Sequence, residues 1–140
     1  MRADDPVDDF AGWVEPHLPA MAHLAARLAP YGDRDDVVQE ALVRAWRRRS
    51  TFDPQRGTAL AWLLAIVADR ARRARVRRRF DLIPVPAVYG SGRDVEADLD
   101  LERALHALPP REQAAIALFY FVGLDVPTTA QVMACAEGTV

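Results

Sequence analysis

The first predicted helix covers residues 13–28, where apolar positions recur at mostly three- and four-residue spacing. The members of this apolar stripe are Trp13, Leu18, Met21, Leu24 and Leu28. This period places them on one side of an amphipathic helix, so we expect them to face a core. Pro16 and Pro19 predict an early interruption, because proline removes a backbone donor and crowds the preceding turn.

A second amphipathic helix is predicted from Asp33 onward, after a helix-breaking segment at residues 30–32. Asp33 is a candidate N-cap, and two more aspartates in the first turn suit the positive end of the helix dipole. The apolar stripe of this helix consists of Val38, Leu42, Ala45 and Trp46. We expect Trp46 to pack internally. Polar residues on the other faces leave one side available to a partner.

Residues 50–57 predict a short exposed loop, because proline and glycine punctuate them. Thr58 is a candidate N-cap for the next helix. From position 59 to 68 nearly every residue is apolar, which predicts a largely buried helix. After Asp69 the pattern changes to arginine at positions 70, 72, 73, 75 and 77–79, covering more than one face. No core accepts so many charges, so this end should project into solvent or onto a polyanion.

Residues 81–97 contain proline, glycine and serine without a helical period, and we interpret them as a linker. Beyond it, an apolar pattern predicts a helix that stops at Pro109, and Pro110 suits the first position of another. The apolar residues of that helix are Ala115, Ile116, Phe119 and Val122. Gly123 is expected to end it in the left-handed conformation. The final residues, DVPTTAQVMACAEGTV, fit a helix-turn-helix cut short, with a tight turn at residues 134–136.

These patterns predict an all-α fold of two small helical domains, residues 1–80 and 98–140, joined by the linker at residues 81–97. No apolar run approaches the roughly 18 to 20 residues that cross a bilayer, and the acidic N-terminus is unlike a secretory signal. We therefore expect a cytoplasmic protein. The single cysteine, Cys135, has no partner for a disulfide or a metal site, so no metal or cofactor is expected.

Charge is divided sharply along the chain, although its formal net charge is only -2. Residues 44–79 hold twelve of the 18 basic residues, all of them arginine, and only two acidic residues. The remainder of the chain is acidic. This separation predicts two partners of different character. By itself the arginine tract leaves open an RNA-binding arm, a membrane-surface segment or a nonspecific run of charge.

Residues 33–79 read DRDDVVQEALVRAWRRRSTFDPQRGTALAWLLAIVADRARRARVRRR. This order of elements resembles region two of bacterial extracytoplasmic-function (ECF) sigma factors of the sigma-70 family, the promoter-recognition subunits of RNA polymerase. In that family, a pattern resembling D-x-x-D-V-V-Q-E-x-x-x-R-A-W grips the coiled-coil clamp helices of the largest polymerase subunit. The resemblance implies polymerase binding for four residues, Asp36, Gln39, Glu40 and Arg44.

The loop at residues 50–57 has side chains suited to nucleic acid. The candidate base-reading residues are Ser50, Thr51, Phe52 and Gln55, and the candidate phosphate contacts are Arg49, Arg56, Arg72, Arg75, Arg77 and Arg78. In the resembled family, this loop holds a base flipped from the non-template strand of the minus-ten element, since a base must leave the stack before its edge is read. A simpler interpretation of Phe52 is that its ring only closes the helix junction.

Two features depart from the family pattern in the arginine tract. Family members often carry asparagine at the position of Asp69 and aspartate at that of Arg73. We expect Asp69 to pair instead with Arg72 or Arg73 on its own helix.

The segment LPPREQAAIALFYFVGL, residues 108–124, resembles the opening of region four, and residues 135–140 resemble the entry to its recognition helix. Thr129 stands where an aliphatic residue is usual, and Ala134 stands where the turn usually has glycine. The basic residues that normally follow are absent from these 140 residues. The chain as given is therefore expected to read the minus-thirty-five element poorly or not at all.

The resulting hypothesis is an ECF-type sigma factor that binds core RNA polymerase, holds promoter DNA and stabilises melted minus-ten bases. An anti-sigma factor is a further candidate partner, and no membrane contact is expected. The three histidines have no nucleophile or paired carboxylate at a recognisable spacing, so an enzyme is not expected. Two alternatives stay open. One is a decoy that occupies polymerase or an anti-sigma factor without initiating transcription, and the other is a helix-turn-helix repressor that binds duplex DNA as a dimer.

Overall fold

The structure is a computed structural model that describes residues 8–30, 32–81 and 95–140. Within these ranges all regular secondary structure is helical, as predicted. The α-helices are α1 (Phe10–Val14), α2 (Leu18–Leu28), α3 (Arg34–Arg48), α4 (Ala59–Asp81), α5 (Val95–Ala107), α6 (Pro110–Ile116) and α7 (Val126–Met133). There are also 3-10 turns at Glu15–His17, Arg49–Thr51 and Glu137–Thr139, and a π-helical turn at Ala117–Val122. None of the described helices is both long and apolar enough to cross a membrane.

Most of the predicted linker, and residue 31 of the predicted helix break, lie outside the described residues. Helix α4 extends to Asp81, and α5 begins at Val95, slightly before the predicted start of the second domain. No proline or glycine separates Gly92 from Pro109, so nothing in that stretch prevents an early helix start. The division into two domains stays a prediction.

Two prolines break the N-terminal helix, as predicted. Asp9 caps α1, because its Oδ1 accepts a 3.0 Å hydrogen bond from the backbone N–H of Gly12. Pro16 lies in the 3-10 turn and Pro19 in the first turn of α2, where a missing N–H interrupts no helical bond. The residues that α2 then buries are Met21, Leu24, Ala25 and Leu28.

Helix α3 buries a face made mostly of small residues. Its buried residues are Val37, Ala41 and Ala45, with Val38 and Leu42 half-buried beside them. Trp46 does not pack internally as predicted, because 48% of its surface is exposed. Its indole ring packs sideways against Phe10, with the ring centroids 5.5 Å apart. Alanines at the buried positions let α3 lie close to its neighbours, so the bulky indole fits only at the edge of the core.

Helix α4 keeps one buried stripe along both its apolar and its arginine-rich halves. Thr58 caps it as predicted, since Thr58 Oγ1 accepts a 3.1 Å hydrogen bond from the backbone N–H of Ala61. In the arginine-rich half, Ala71 and Ala74 stay buried and continue the helical phase of the apolar half. The fully buried residues of the apolar half are Leu63, Leu64 and Val67. Helix α4 therefore packs against both α2 and α3 while its arginines occupy the other sides.

The helices after the linker join the same core. Leu118 in the π-helical turn is fully buried, and Val132 of α7 is nearly so. They pack with residues of α2 and α4. At the rim, Arg27 of α2 donates a 3.1 Å hydrogen bond to Glu102 of α5, and its guanidinium lies 3.8 Å from the ring centroid of Phe121. An apolar contact and an ion pair thus hold the C-terminal helices against the N-terminal ones.

The helix that starts at Pro110 departs from the predicted pattern in its second half. It changes from α to π geometry after Ile116 and ends at Gly123, whose φ of 83° is left-handed as predicted. The residues that face the core keep three- and four-residue spacing across this change; they are Ala114, Ala117, Leu118 and Val122. Phe119, predicted on the apolar stripe, lies outside this set and is 40% exposed.

Two unusual residues near the C-terminus are explained by local geometry. Thr129 is fully buried, and its hydroxyl donates a 2.8 Å hydrogen bond to the backbone carbonyl of Asp125. A polar residue is tolerated there because its hydrogen-bonding group is satisfied. Ala134 follows α7 with a φ of 52°, in the left-handed region where a Cβ atom is strained. The tight turn predicted at residues 134–136 is therefore present and carries strain.

Replacing Ala134 with glycine should raise the free energy of unfolding by about 0.5 to 1 kcal/mol. Removing the left-handed strain outweighs the extra freedom that glycine gives the unfolded chain. Urea unfolding followed by circular dichroism measures the change. Ala136→Gly is the matched control, because Ala136 has an ordinary φ of -71° and its replacement should lower stability. A loss of stability in Ala134→Gly would contradict the strained turn.

Candidate functional site

The outer side of α3 carries the four residues predicted to contact polymerase. Asp36, Gln39 and Arg44 are exposed, and Glu40 is half-buried. Their spacing places them on one broad face, opposite the buried alanines of the helix. The structure therefore brings these four residues onto a single surface, which we call the α3 face.

Charges on the α3 face are only partly neutralised from within the chain. Arg77 of α4 donates to both carboxylate oxygens of Glu40, at 3.3 and 3.4 Å. Asp36 has no ion-pair partner among the side chains that the structure describes. At least one carboxylate on this face is thus available to a cationic partner.

Asp33 fastens the start of α3 to the far end of α4. It stands at the N-cap position, but its side chain makes no capping hydrogen bond, which corrects the prediction. Instead, Arg78 Nε and Nη2 donate to its two oxygens at 3.0 and 2.7 Å. Hydrogen bonds from Arg78 lower the pKa of Asp33 below its ordinary value of 3.8. The guanidinium fork prevails over the cap because it satisfies both oxygens at once.

Asp69 organises the first half of the arginine tract. Its carboxylate accepts hydrogen bonds from Arg70, Arg72 and Arg73, at 2.8, 2.6 and 3.1 Å. The sequence predicted a bond from Arg72 or Arg73; the structure has both, and it adds the bond from Arg70. Burial opposes ionisation of Asp69, but the bonds from the three arginines lower its pKa overall. One carboxylate cannot balance three guanidinium groups, so this part of α4 stays positively charged.

The candidate phosphate contacts on α4 differ in what they touch. Arg72 is exposed although it bonds Asp69, and Arg75 is half-buried in a groove between α4 and the C-terminal helices. Arg77 and Arg78 reach back to the acidic residues of α3. The side chain of Arg79 lies outside the described part of the chain. The arginine tract therefore supports the packing of α4 as well as presenting positive charge.

The loop after α3 presents most of its predicted nucleic-acid contacts to solvent. Thr51 Oγ1 donates a 2.7 Å hydrogen bond to the carbonyl of Arg48, and Asp53 Oδ1 accepts a 2.9 Å bond from the backbone N–H of Gln55. These local bonds define the shape of the loop. The Gln55 side-chain amide bonds no residue that the structure describes, so it is available to a ligand. The exposed candidates are Ser50, Thr51, Gln55 and Arg56.

Phe52 does not project from this loop. It is half-buried and meets Trp13 and Trp62 edge-on, with ring centroids 5.2 and 5.6 Å apart. The two tryptophans are themselves 5.9 Å apart, so the three rings form a cluster beneath the loop. This packing favours the interpretation in which Phe52 closes the helix junction. Base stacking by Phe52 stays a prediction.

Arg49, a predicted phosphate contact, is held against α3. Its guanidinium lies 3.6 Å from the ring centroid of Trp46, and its Nη1 donates a 2.7 Å hydrogen bond to the Trp46 carbonyl. Stacking on an exposed indole fixes the arginine in one position. Phosphate binding by Arg49 requires a ligand that approaches this edge of α3.

Gln131 of α7 is a residue that the sequence pattern did not indicate. It lines two grooves beside the loop, together with Phe52, Arg56 and Gly57, and the larger groove has a volume of about 470 Å³. Its amide oxygen lies 3.6 Å from the position that a Cβ atom on Gly57 would occupy. No local sequence signal could have shown this approach, because it joins two segments on opposite sides of the linker.

Sequence comparison decides the family. The sigma-70 region 2 family matches residues 13–80, and the sigma-70 region 4 family matches residues 98–140. The ECF RNA polymerase sigma factor EcfG of Rhodopseudomonas palustris is 31% identical over 132 residues, covering 88% of this chain and 72% of EcfG. The chain belongs to the ECF sigma factors of the sigma-70 family. The ECF sigma factor SigM of Mycobacterium tuberculosis is 32% identical over 127 residues, 88% of this chain but only 63% of SigM.

Two solved sigma-factor structures are similar to this ECF fold. The sigma factor RpoE of Bartonella quintana, in complex with the anti-sigma factor NepR, matches with a TM-score of 0.70 and 28% identity. That match covers 95% of this chain and 88% of the RpoE chain. CnrH in complex with the cytosolic domain of CnrY matches with a TM-score of 0.67 and 28% identity, covering 93% and 76% of the two chains. The predicted all-α sigma-factor fold is therefore confirmed.

Asp33→Asn should lower the free energy of unfolding by about 1 kcal/mol near neutral pH, because a two-point bond to Arg78 is lost. The pKa of Asp33 is lowered by folding, so its contribution is complete above the unfolded value and is lost as pH falls through the folded value. The difference between wild type and variant should therefore begin to shrink as pH falls past the ordinary pKa of 3.8, and vanish once the pH is below the lowered pKa of the folded state. Urea unfolding at a series of pH values measures it.

Asp36→Asn is the control for this experiment. It removes the same charge from the same end of α3 but breaks no described bond to arginine. It should cost less stability than Asp33→Asn. Equal losses would show that the helix dipole accounts for the effect without the Arg78 bond.

Proposed function

We propose that this ECF sigma factor is a transcription initiation factor that binds core RNA polymerase and recognises and melts promoter DNA. The observation that carries the proposal is the position of the exposed α3 face directly before an exposed loop rich in hydrogen-bonding side chains. Residues 1–80 form the domain for polymerase and the minus-ten element, residues 81–97 the linker, and residues 98–140 the region-four domain. The chain spans less than two thirds of SigM. We therefore propose its activity in transcription initiation and do not take it from SigM.

Polymerase binds the α3 face through Asp36, Gln39, Glu40 and Arg44. The exposure of Asp36, Gln39 and Arg44 supports this role, since a docking surface needs side chains that a partner can reach. Glu40 is bonded to Arg77 and has to leave that pair to bind polymerase. The partner is the pair of clamp helices in the largest polymerase subunit, and a cationic patch there would complement Asp36. Action on polymerase places the protein in the cytoplasm. An anti-sigma factor is the third proposed partner, in line with the NepR and CnrY complexes of the similar structures.

Promoter DNA binds along the arginine tract and the loop. The tract supplies salt-dependent attraction to phosphates, whereas Ser50, Thr51 and Gln55 supply hydrogen bonds to the edges of unstacked bases. The Phe52 cluster supports the loop from below and keeps these side chains at the surface. These contacts stabilise melted DNA relative to duplex DNA through binding free energy alone. The protein makes or breaks no covalent bond.

Reversing charge on the α3 face should abolish polymerase capture without unfolding the chain. Asp36→Arg combined with Glu40→Arg turns attraction into repulsion, which should weaken binding by about 100-fold or more. Pull-down with core polymerase measures capture, and circular dichroism checks the fold. The control is Asp98→Arg with Asp100→Arg, which makes the same charge change on the exposed surface of α5. Retained capture by the α3 double variant would refute the docking assignment. If the wild-type chain captures polymerase but yields no runoff transcripts, it is a decoy.

Substituting one exposed glutamine on each surface tests the DNA surface and the polymerase surface independently. Gln55→Ala should reduce promoter opening by about tenfold, because one base-edge contact is lost, and should leave polymerase capture unchanged. Gln39→Ala should reduce polymerase capture, and it should leave promoter opening unchanged once polymerase is saturating. Permanganate reactivity of unpaired thymines reports opening, with polymerase at saturating concentration. Equal losses of capture and opening in Gln55→Ala would argue against base reading by the loop.

A further inference from the structure

The proposed polymerase and DNA surfaces share one ion pair, between Glu40 of α3 and Arg77 of α4. Glu40 belongs to the α3 face, and Arg77 belongs to the candidate phosphate contacts. Arg77 Nη2 donates to Oε1 and Oε2 of Glu40 at 3.3 and 3.4 Å. In the chain without partners, Arg77 therefore neutralises the carboxylate that would bind polymerase, and Glu40 neutralises the guanidinium that would bind DNA.

The geometry of this pair favours exchange. A single nitrogen serves both oxygens, and both contacts are long for a charge-assisted hydrogen bond. The side chains are open to solvent, with 60% of Arg77 and 39% of Glu40 exposed. An incoming ion can therefore reach either member.

The neighbouring pair between Asp33 and Arg78 has the opposite character. Two nitrogens bond two separate oxygens at 3.0 and 2.7 Å, and only 28% of the arginine and 21% of the aspartate side chain are exposed. This tighter pair joins the same two helices. It can keep α3 and α4 in place when the Glu40 pair opens.

We infer that the Glu40–Arg77 pair couples polymerase binding to DNA binding, an inference that rests on the proposed function. A polymerase cation that takes Glu40 releases Arg77 for a DNA phosphate. A phosphate that takes Arg77 releases Glu40 for polymerase. Either partner alone must open the pair, whereas the second partner finds it already open. Each partner thereby strengthens the binding of the other, by the same factor in both directions.

The size of this coupling is limited by the strength of the pair. Exposed ion pairs are weak, which corresponds to a gain in affinity of about two- to fivefold. The coupling should also decrease with added salt, because exposed charges are screened. The coupling therefore modestly raises the affinity with which the chain, core polymerase and DNA form a three-component complex.

The first experiment needs no polymerase. The affinity of the chain for a short single-stranded DNA is measured at low salt for Glu40→Gln and Asp36→Asn. Both substitutions remove one negative charge from the α3 face, but only Glu40→Gln releases Arg77. Glu40→Gln should bind DNA about two- to fivefold more tightly than Asp36→Asn. The difference should disappear when Arg77→Gln is added to both.

The second experiment measures affinity for core polymerase without DNA. Arg77→Gln should increase it by about two- to fivefold, because Glu40 then has no internal partner to leave. Arg73→Gln is the matched control. It removes the same charge one turn away on α4, but Arg73 bonds Asp69, so polymerase affinity should stay near the wild-type value.

Three results would overturn the coupling while leaving the proposed function intact. They are equal DNA affinities of Glu40→Gln and Asp36→Asn, a Glu40→Gln gain that persists without Arg77, and an Arg77→Gln variant that binds polymerase no better than Arg73→Gln. If the wild-type chain captures no polymerase, the proposed function and the coupling both fail. The DNA experiment would then show only whether the pair opens for a phosphate.

Discussion

Helix α4 has to bury one side along its length while its second half carries a dense set of arginines, and the rest of the structure depends on how it does so. Ala71 and Ala74 continue the buried stripe through the arginine tract. Because these side chains are small, α4 lies close to its neighbours and its arginines emerge at the margins of the contact. Arg77 and Arg78 thereby meet the acidic side of α3, and Arg72 remains at the surface.

Opposite charges on adjoining helices attract one another as well as their partners. If all of them were paired internally, neither surface would be available to a ligand. The structure shows an intermediate situation. Asp33 is firmly bonded to Arg78, Glu40 is loosely bonded to Arg77, and Asp36 has no partner among the described side chains. This gradation lets the same set of charges hold α3 on α4 and still present a surface for binding.

The helices after the linker are part of this arrangement because they share the core of α2 and α4. Leu118 and Val132 supply the apolar contact, and the Arg27–Glu102 pair closes its rim. Through α7, Gln131 reaches the grooves beside the loop. A ligand that binds in these grooves therefore contacts side chains from both sides of the linker, whose positions depend on long-range packing.

The sequence by itself determined the all-α fold, most helix ends and a polar side of α3 that is available to a partner. These follow from local signals, namely apolar period, proline positions and capping residues such as Thr58, which act within one or two turns. The family resemblance added the polymerase and promoter roles, which geometry alone does not supply. Pairing of Asp69 within its own helix was predictable for the same local reason.

Only the tertiary structure decided which side chains are buried or bonded within the chain and which are exposed. Trp46 lies at the edge of the core because most buried positions of α3 are filled by alanine, and Phe119 is exposed because Ala117 and Leu118 face the core instead. Asp33 bonds an arginine at the other end of α4 instead of capping its helix. Each outcome depends on contacts between segments distant in the chain, whose strength no local pattern encodes, since burial and pairing are properties of the assembled helices.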